Sequence, residues 1–245
     1  MTSGDEPKPA APLGPPMANN ENVNARYFDA WKNYQKLVGS IDTYDFISRA
    51  LVGELHGRVV DVGSGGVVNY DCRDITNLVL VDISTEYVNH VVLPADAVLK
   101  TGTAVALPLN DCAHDCLLMQ MLVHHLAEGD YRTTRTRIQT ALCEAYRVLK
   151  PGGKLVVIES ITNRCWEMAE RLSFGLTRRV LHLVGHPMVF QWTPARLCAF
   201  ARETGFIDIR VNCIPRGKWI IFLGHRWPTL FVPLRICKFV ATKPE

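Results

Sequence analysis

Short runs of mainly apolar residues alternate, over most of the chain, with segments whose apolar residues repeat at helical spacing. Runs of this kind are typical of strands buried on both faces of a sheet, and they occupy residues 58–62, 78–82, 97–99, 115–121 and 154–158. Residues 131–149 instead repeat apolar side chains at helical spacing and stop before Pro151-Gly152-Gly153. Two further strands are predicted at 207–211 and 235–241. Strands alternating with helices predict an α/β, Rossmann-like fold with a mostly parallel, seven-stranded sheet and helices on both faces.

The pattern also predicts how the chain is organised. Residues 1–20 contain five prolines and no hydrophobic period, which predicts a disordered tail. Residues 21–55 carry aromatic side chains at helical spacing and predict an N-terminal helical lid. We expect 21–245 to form one domain, in which 56–160 bind a cofactor and 161–245 form the substrate side.

The composition and charge of the chain argue against several classes of protein. The formal charge of +3 is too small for a general nucleic-acid binder, and no stretch is apolar and long enough to span a membrane. The eight cysteines form no CxxC pair, so we expect reduced thiols and a cytoplasmic protein without a secretion signal. No cluster of His, Cys, Asp or Glu has metal-ligand spacing, and we expect no metal site.

A glycine-rich turn follows the first strand and brings bare backbone close to a ligand. It lacks the GxxxxGK sequence of a P-loop, and Val68 stands where a dinucleotide fingerprint needs its third glycine. Asp61 lies two residues before the first glycine, where a carboxylate favours a cation over a pyrophosphate. Asp82 ends the next strand, where an acid can accept both hydroxyls of a ribose. A cationic, phosphate-free adenosine ligand fits this pair, and S-adenosylmethionine has that chemistry.

Five motifs, taken in order, resemble those of the class I S-adenosylmethionine-dependent methyltransferases. They are Val59-Val60-Asp61-Val62-Gly63-Ser64-Gly65, Val81-Asp82-Ile83-Ser84, the segment 102–109 followed by His114-Asp115, Met121-Leu122-Val123-His124-His125-Leu126, and the segment 146–155. The small-molecule branch related to ubiquinone and menaquinone synthesis is the most similar one. The resemblance covers residues 55–160 and extends more loosely to the C-terminus.

The resemblance implies which residues contact S-adenosylmethionine. The methionine part would lie against the loop, the ribose against the second acid, and the adenine against the residues that follow the second and third strands; these residues are Asp61, Gly63, Ser64, Gly65, Asp82, Ile83, Thr103 and Ala104. Two positions depart from the family pattern. Thr103 stands where the family often has an acid that contacts the adenine amine, and Val67 stands in place of the loop's third glycine.

Two histidines follow the fourth strand, beside the expected position of the methyl group. If the methyl acceptor must lose a proton, His124 or His125 is the candidate general base. The alternative is that both histidines only pack against the strand end. Aromatic side chains of the lid and of the substrate side are expected to bind an apolar or aromatic small molecule; they are Tyr27, Trp31, Tyr34 and Trp192.

Three functions remain open at this point. The first is methyl transfer to oxygen of a small metabolite, with nitrogen or carbon as other acceptors. The second is a non-methylating enzyme of the same fold that catalyses a cyclisation or rearrangement, which the altered loop favours. The third is a cofactor-binding partner module, for which the apolar residues 219–231 would form the exposed surface. The expected partner is a small molecule, with no nucleic acid and no integral membrane association; the oligomeric state is undetermined and a homodimer is compatible with the sequence.

Overall fold

The computed structural model describes residues 19–30, 39–66, 68–83, 93–94, 96–222 and 225–245 of the 245-residue chain. The described helices are α1 (Asn19–Ala30), α2 (Thr43–Leu51), α3 (Tyr131–Val148), α4 (Arg164–Leu183) and α5 (Pro194–Thr204). The described strands are β1 (Gly57–Val62), β2 (Ile75–Asp82), β3 (Ala97–Thr101), β4 (His114–Gln120), β5 (Leu149–Ile161), β6 (Ile207–Cys213), β7 (Trp219–Phe222), β8 (His225–Pro228) and β9 (Arg235–Thr242).

Seven strands form one sheet in the order β3-β2-β1-β4-β5-β9-β6, and β7 and β8 form a separate hairpin. Strands β1 to β5 are parallel, whereas β9 is antiparallel to both of its neighbours. The predicted α/β fold with a mostly parallel, seven-stranded sheet is confirmed. The chain leaves β1 toward β2 on one side and returns to β4 on the other, so a cleft opens between the carboxyl ends of β1 and β4.

Each face of the sheet carries its own apolar cluster. Helices α3 and α5 cover one face, and Phe190, Trp192 and Phe200 fill the space beside them. The other face is covered by Ile47 and Leu51 of α2, together with the hairpin and the segments that flank it. Among the described residues, α3 and α5 cover the first face and α2 covers the second.

The segment 68–74 connects β1 to β2 and contains no helix among its described residues. Its sequence, with Asn69, Asp71 and Asp74, has little helical character. Tyr70 instead turns inward and becomes buried against the second cluster. A short polar crossover therefore takes the place of a covering helix beside the glycine turn.

Local signals set the ends of the other helices. Asp130 caps α3 by accepting the Thr133 N–H at 2.7 Å, and Asn163 caps α4 through the Trp166 N–H at 2.9 Å. Helix α5 starts at Pro194 and stops at Gly205, whose φ of +107° suits glycine. Helix α1 begins at Asn19, within the predicted tail; the rest of that tail, residues 1–18, lies outside the described part of the chain.

Three segments lie over the carboxyl edge of the sheet. Helix α1 packs on the turn after β4, α4 follows the end of β5, and the hairpin follows the end of β6, which runs parallel to β5 because both pair antiparallel with β9. No helix within the described ranges has the length and apolar character to cross a membrane. The described side chains contain no group of three His, Cys, Asp or Glu residues that could hold a metal ion.

Candidate active site

Asp61 lies in β1, one residue before its end, and is almost completely buried. The Tyr70 hydroxyl donates a hydrogen bond of 2.7 Å to its Oδ2. The other oxygen, Oδ1, is buried and has no hydrogen-bond partner among the described residues. A buried carboxylate oxygen without a partner is costly, so this oxygen faces a site where a ligand would complete its hydrogen bonds.

The pKa of the Asp61 carboxyl lies near neutral pH. Removal from solvent raises the pKa of its carboxyl to about 7; the Tyr70 hydrogen bond opposes this, and the nearby Asp82 carboxylate adds to it. A cation bound beside Asp61 would favour the ionised form and lower this pKa again. The site therefore favours a positively charged group.

The glycine turn provides space and connects the two acids. Gly63 and Gly65 have φ angles of +73° and +54°, and a Cβ at Gly63 would come within 2.6 Å of Leu122 Cδ1. A Cβ at Gly65 would meet no described atom within 4 Å. The Gly65 N–H donates to Asp82 Oδ2 at 3.0 Å, which holds the second acid at the turn.

The remaining predicted cofactor residues lie along the same edge in different environments. Ser64 is buried, and its Oγ accepts the Gly66 N–H at 3.1 Å, so its side chain supports the turn. Ile83 is half-buried directly after β2. Ala104 is 4% exposed and packs in the first apolar cluster. Val67 is outside the described residues.

Thr103, which stands where the family often has an acid, contacts an acid from another element. Its hydroxyl donates to Glu21 Oε1 of α1 at 2.7 Å, and Arg137 of α3 pairs with the same oxygen. Glu21 is 7% exposed despite its charge. Helix α1 therefore places a carboxylate beside Thr103, and no spacing in the sequence indicates this.

The end of β4 carries backbone strain and an unsatisfied amide. Gln120 is buried, and its Oε1 lacks a hydrogen-bond partner within the described ranges. Met121, the next residue, has a φ of +53°, which is uncommon for a residue with a side chain. Its N–H donates to the Ile158 carbonyl at 2.7 Å, which fixes the turn. Strain of this kind is frequent where a chain positions groups for a ligand.

His124 and Glu159 form a buried hydrogen-bonded pair. Nδ1 of His124 lies 2.6 Å from Glu159 Oε1, and the His124 backbone N–H donates to Oε2 at 3.2 Å. The Ser160 N–H donates to Oε1 at 2.6 Å, and the Ser160 hydroxyl lies between Glu159 Oε1 and Gln191 Oε1 at 3.1 and 2.8 Å. Because an ionised carboxylate only accepts hydrogen bonds, Nδ1 carries the proton and Nε2 is left as the basic nitrogen.

His125 lies in a different electrostatic environment. Desolvation lowers the pKa of His125 well below its usual value, and the neighbouring His124 and His186 lower it further. The two adjacent rings are 4.1 Å apart between centroids. The His125 carbonyl accepts a hydrogen bond of 3.1 Å from Asn24 of α1, so this residue connects the lid to the turn after β4. It stays neutral near physiological pH.

The four predicted substrate residues do not all reach one place. Tyr27 is half-buried in α1, with its ring 4.7 Å from that of His186. Trp192 has no exposed surface and packs against Phe190 and Phe200 at centroid distances of 4.6 and 5.2 Å, so it presents no face to a ligand in this structure. Trp31 and Tyr34 lie outside the described residues.

Sequence reasoning missed three residues of this site. Glu159 ends an apolar run in the same way as Asp82, so the rule that selected one acid would also have selected the other. Tyr70 reaches Asp61 only because the crossover lacks a helix, and Glu21 reaches Thr103 from 82 residues away. Neither contact leaves a pattern in the sequence.

Comparisons with known proteins find similarity to methyltransferases. Residues 60–157 match a family model described as a methyltransferase domain. The ubiquinone/menaquinone biosynthesis C-methyltransferase UbiE of a Ruegeria species is 44% identical over 59 residues, which are 24% of this chain and 20% of that protein. A second UbiE, from Cereibacter sphaeroides, is 30% identical over 112 residues, 44% of this chain and 41% of that one. The chain thus spans between a fifth and two fifths of these relatives.

Solved structures extend the likeness to the whole fold. The complex of the Haloferax volcanii Trm112 methyltransferase activator with a methyltransferase has a TM-score of 0.62, at 18% identity over 89% of this chain and 98% of that one. The [4+2]-cyclase SpnF has a TM-score of 0.65, at 15% identity over 94% and 98% of the two chains. The central part of the chain is therefore similar to a methyltransferase domain and to UbiE, and the whole chain has the fold of these solved structures.

The site residues fit S-adenosylmethionine, the cofactor that the sequence motifs imply. The Asp61 oxygen without a partner among the described residues suits a cationic ligand. Asp82 is held at the turn where a ribose is expected. The two acids therefore have the charge that this cofactor requires.

Proposed function

We propose that this protein transfers a methyl group from S-adenosylmethionine to oxygen of a small, apolar or aromatic metabolite. The observation that carries the proposal is the buried His124–Glu159 pair, at 2.6 Å, in the turn that follows the strand beside Asp61. A hydroxyl acceptor must lose its proton on methylation, and a carboxylate-oriented imidazole can accept that proton.

In this proposal the cofactor lies across the carboxyl ends of β1 and β2. Asp61 and the backbone of Gly63 and Gly65 would hold its methionine part, and Asp82 would accept from the ribose hydroxyls. Glu21, with Thr103, would face the adenine side, and Ile83 would lie against the ring. The bound cofactor supplies an activated methyl group on a sulfonium centre, so the protein mainly has to align the acceptor and exclude water.

His124 would take the acceptor's proton on Nε2. Glu159 would then stabilise the resulting imidazolium, and Ser160 and Gln191 would keep the carboxylate oriented. A positioned base of this kind contributes about 10² to 10⁴-fold to the rate. His125 is not proposed as the base, because its lowered pKa makes it a poor proton acceptor.

The proposed acceptor is apolar or aromatic because α1, which packs on the turn after β4, brings the Tyr27 ring to this edge. A quinone-like intermediate or a secondary metabolite has this character. We also propose a cytoplasmic location, from the unpaired cysteines of the described chain.

The direct test combines calorimetry with labelled S-adenosylmethionine and a panel of phenolic and hydroxylated acceptors. We expect one-to-one binding of the cofactor and transfer of label to an oxygen. His124→Gln should bind the cofactor as the parent protein does and lose transfer. Label on a carbon or nitrogen atom, or transfer that survives His124→Gln, would contradict the proposal.

A second candidate is a cyclisation or rearrangement without methyl transfer. It is favoured by the helix-free crossover after the glycine turn and by the likeness in fold to the [4+2]-cyclase SpnF. The two candidates differ in stoichiometry, because methyl transfer consumes the cofactor and a cyclisation leaves it intact. Product formation at constant cofactor concentration, followed by mass spectrometry, would favour the second candidate.

A further inference from the structure

An exposed apolar group lies where the hairpin turns back toward the sheet. Trp227, Leu230 and Phe231 are 44%, 83% and 74% exposed, and we call these three residues the hairpin tip. They lie between the end of β8 and the start of β9, in a segment that the proposed chemistry does not use. Such exposure of large apolar side chains in one short segment usually marks a binding surface.

The hairpin tip is held in place by buried anchors. The Arg216 side chain donates to the Val232 and Leu234 carbonyls at 2.6 and 2.7 Å, and both of those side chains are buried in the second apolar cluster. Thr229 donates through its hydroxyl to the Gly217 carbonyl at 2.6 Å. The exposed residues are thus presented by a fixed support.

The charged side chains next to the tip in the described chain are mainly basic. Lys218 and Arg226 are exposed beside the tip, and Arg235 is exposed four residues after Phe231. The Arg226 guanidinium lies over the Trp219 ring at 4.0 Å, and Thr229 donates its backbone N–H to the Lys218 carbonyl at 3.0 Å. Asp42 is the acid that reaches this region, through the Lys218 and Trp219 N–H groups.

We propose that the hairpin tip docks on the surface of an anionic phospholipid bilayer. Leu230 and Phe231 would enter the boundary between headgroups and acyl chains, with Trp227 at the interface. Lys218, Arg226 and Arg235 would lie against the headgroup phosphates. A mainly basic rim around exposed apolar side chains complements this surface in both charge and polarity, and does not depend on the reaction that the protein catalyses.

The hairpin leaves the sheet from the same edge as the active site. Strand β6 ends at that edge, since it runs parallel to β5. Docking through the tip would therefore bring the carboxyl edge of the sheet toward the lipid. An apolar molecule dissolved in the bilayer would then have a short path to the site.

A second exposed apolar face on α4 provides a matched control. Leu172 and Leu176 are 82% and 67% exposed. Two arginines of this helix are already engaged with the protein: Arg171 stacks on the Tyr131 ring at 4.5 Å, and Arg178 donates to the Gly129 carbonyl at 3.2 Å. The helix face exposes large apolar side chains on another element, so it tests whether apolar exposure alone is sufficient for binding.

The test uses the full chain and sedimentation with two kinds of vesicle, phosphatidylcholine alone and phosphatidylcholine mixed with phosphatidylserine. We expect binding to the mixed vesicles and weak binding to the neutral ones. Leu230→Ser with Phe231→Ser should weaken binding by roughly tenfold or more. Arg226→Gln with Arg235→Gln should weaken it by roughly 20-fold, at about fivefold per arginine. Leu172→Ser with Leu176→Ser should bind as the parent protein does.

Any one of three results would overturn this proposal. These are a parent protein that does not bind the mixed vesicles, tip substitutions that leave binding unchanged, and α4 substitutions that abolish binding. A tip variant that converts a dimer to a monomer, while neither protein binds vesicles, would assign the surface to a second copy of the chain. Equal melting temperatures confirm that each variant is folded. Vesicle binding is measured without cofactor, so its failure is independent of the methyl-transfer test.

Discussion

The two acidic centres of the active site are constructed in opposite ways. Asp61 has one donor, Tyr70, and an oxygen without a partner among the described residues. Glu159 receives three N–H donors and lies beside the Ser160 hydroxyl. Both carboxyls are buried. The first therefore lacks hydrogen bonds that a ligand can supply, whereas the second already has its full set from the protein.

This difference separates binding from chemistry. A buried carboxyl with few donors changes its charge state when a cation arrives, so Asp61 is suited to recognise a charged ligand. A carboxylate with many donors keeps its orientation, so Glu159 is suited to fix a neighbouring imidazole. Substitutions at the two centres should accordingly change different quantities, and the predictions below are ordered by the size of the expected effect.

Replacing the imidazole should have the largest effect, and on the rate alone. His124→Gln removes the proposed proton acceptor, so kcat should fall by about 10² to 10⁴-fold. Glu159→Gln keeps the shape but removes the charge that orients His124, and we expect a smaller loss, about 10 to 100-fold. Calorimetry should give cofactor affinities close to that of the parent protein for both variants. A loss of affinity equal to the loss of rate would show that the pair holds the cofactor instead.

The reverse pattern is expected at Asp61. Asp61→Asn preserves the acceptor for the Tyr70 hydroxyl but removes the charge that a cationic ligand requires. Cofactor affinity should fall by roughly 10 to 100-fold, since hydrogen bonds to charged groups contribute about 1.5 to 3 kcal/mol. The melting temperature should be unchanged or higher, because no buried charge has to form. A variant that binds S-adenosylmethionine as tightly as the parent protein would remove Asp61 from the site.

The raised pKa of Asp61 predicts how binding depends on pH. Its folded-state pKa of about 7 lies above the ordinary value of 3.8. Below about pH 7 the carboxyl is protonated, so the affinity for a cation should fall about tenfold for each further pH unit. The same shift makes the free energy of unfolding decrease as pH rises from about 4 to about 7, because the folded protein binds this proton more tightly. Asp61→Asn should flatten both curves, measured by calorimetry and by thermal unfolding.

Sequence reasoning succeeded where local chemistry decides the structure. The strands, the start of α5 at Pro194 and its stop at Gly205 follow from apolar runs and cap residues. The position of Asp61, Asp82 and the glycine turn at one edge follows from the parallel sheet. These features need only neighbouring residues and the rule that parallel strands end together.

It failed where distant segments meet. Trp192 looked like a ligand-facing aromatic, but the bridge between Ile161 and Trp192 draws this residue into the core, and a linear pattern carries no sign of that pairing. Glu21 is buried between Thr103 and Arg137, and nothing in the sequence singles it out. Such placements depend on tertiary packing, which periodicity does not encode.

The smallest effect should come from Glu21, where the lid touches the cofactor edge. Glu21→Gln keeps an acceptor for the Thr103 hydroxyl but leaves the mostly buried Arg137 without its anion. Two consequences follow from the two roles of this carboxylate. Loss of the ion pair should lower the free energy of unfolding by about 1 kcal/mol and the melting temperature by a few degrees.

Loss of an anionic acceptor beside the adenine should weaken cofactor binding by roughly fivefold. Adenosine alone should lose affinity by the same factor, because the change lies on the adenine side. If S-adenosylmethionine loses affinity while adenosine does not, Glu21 acts on the methionine end, and the lid contributes to the charge recognition assigned here to Asp61.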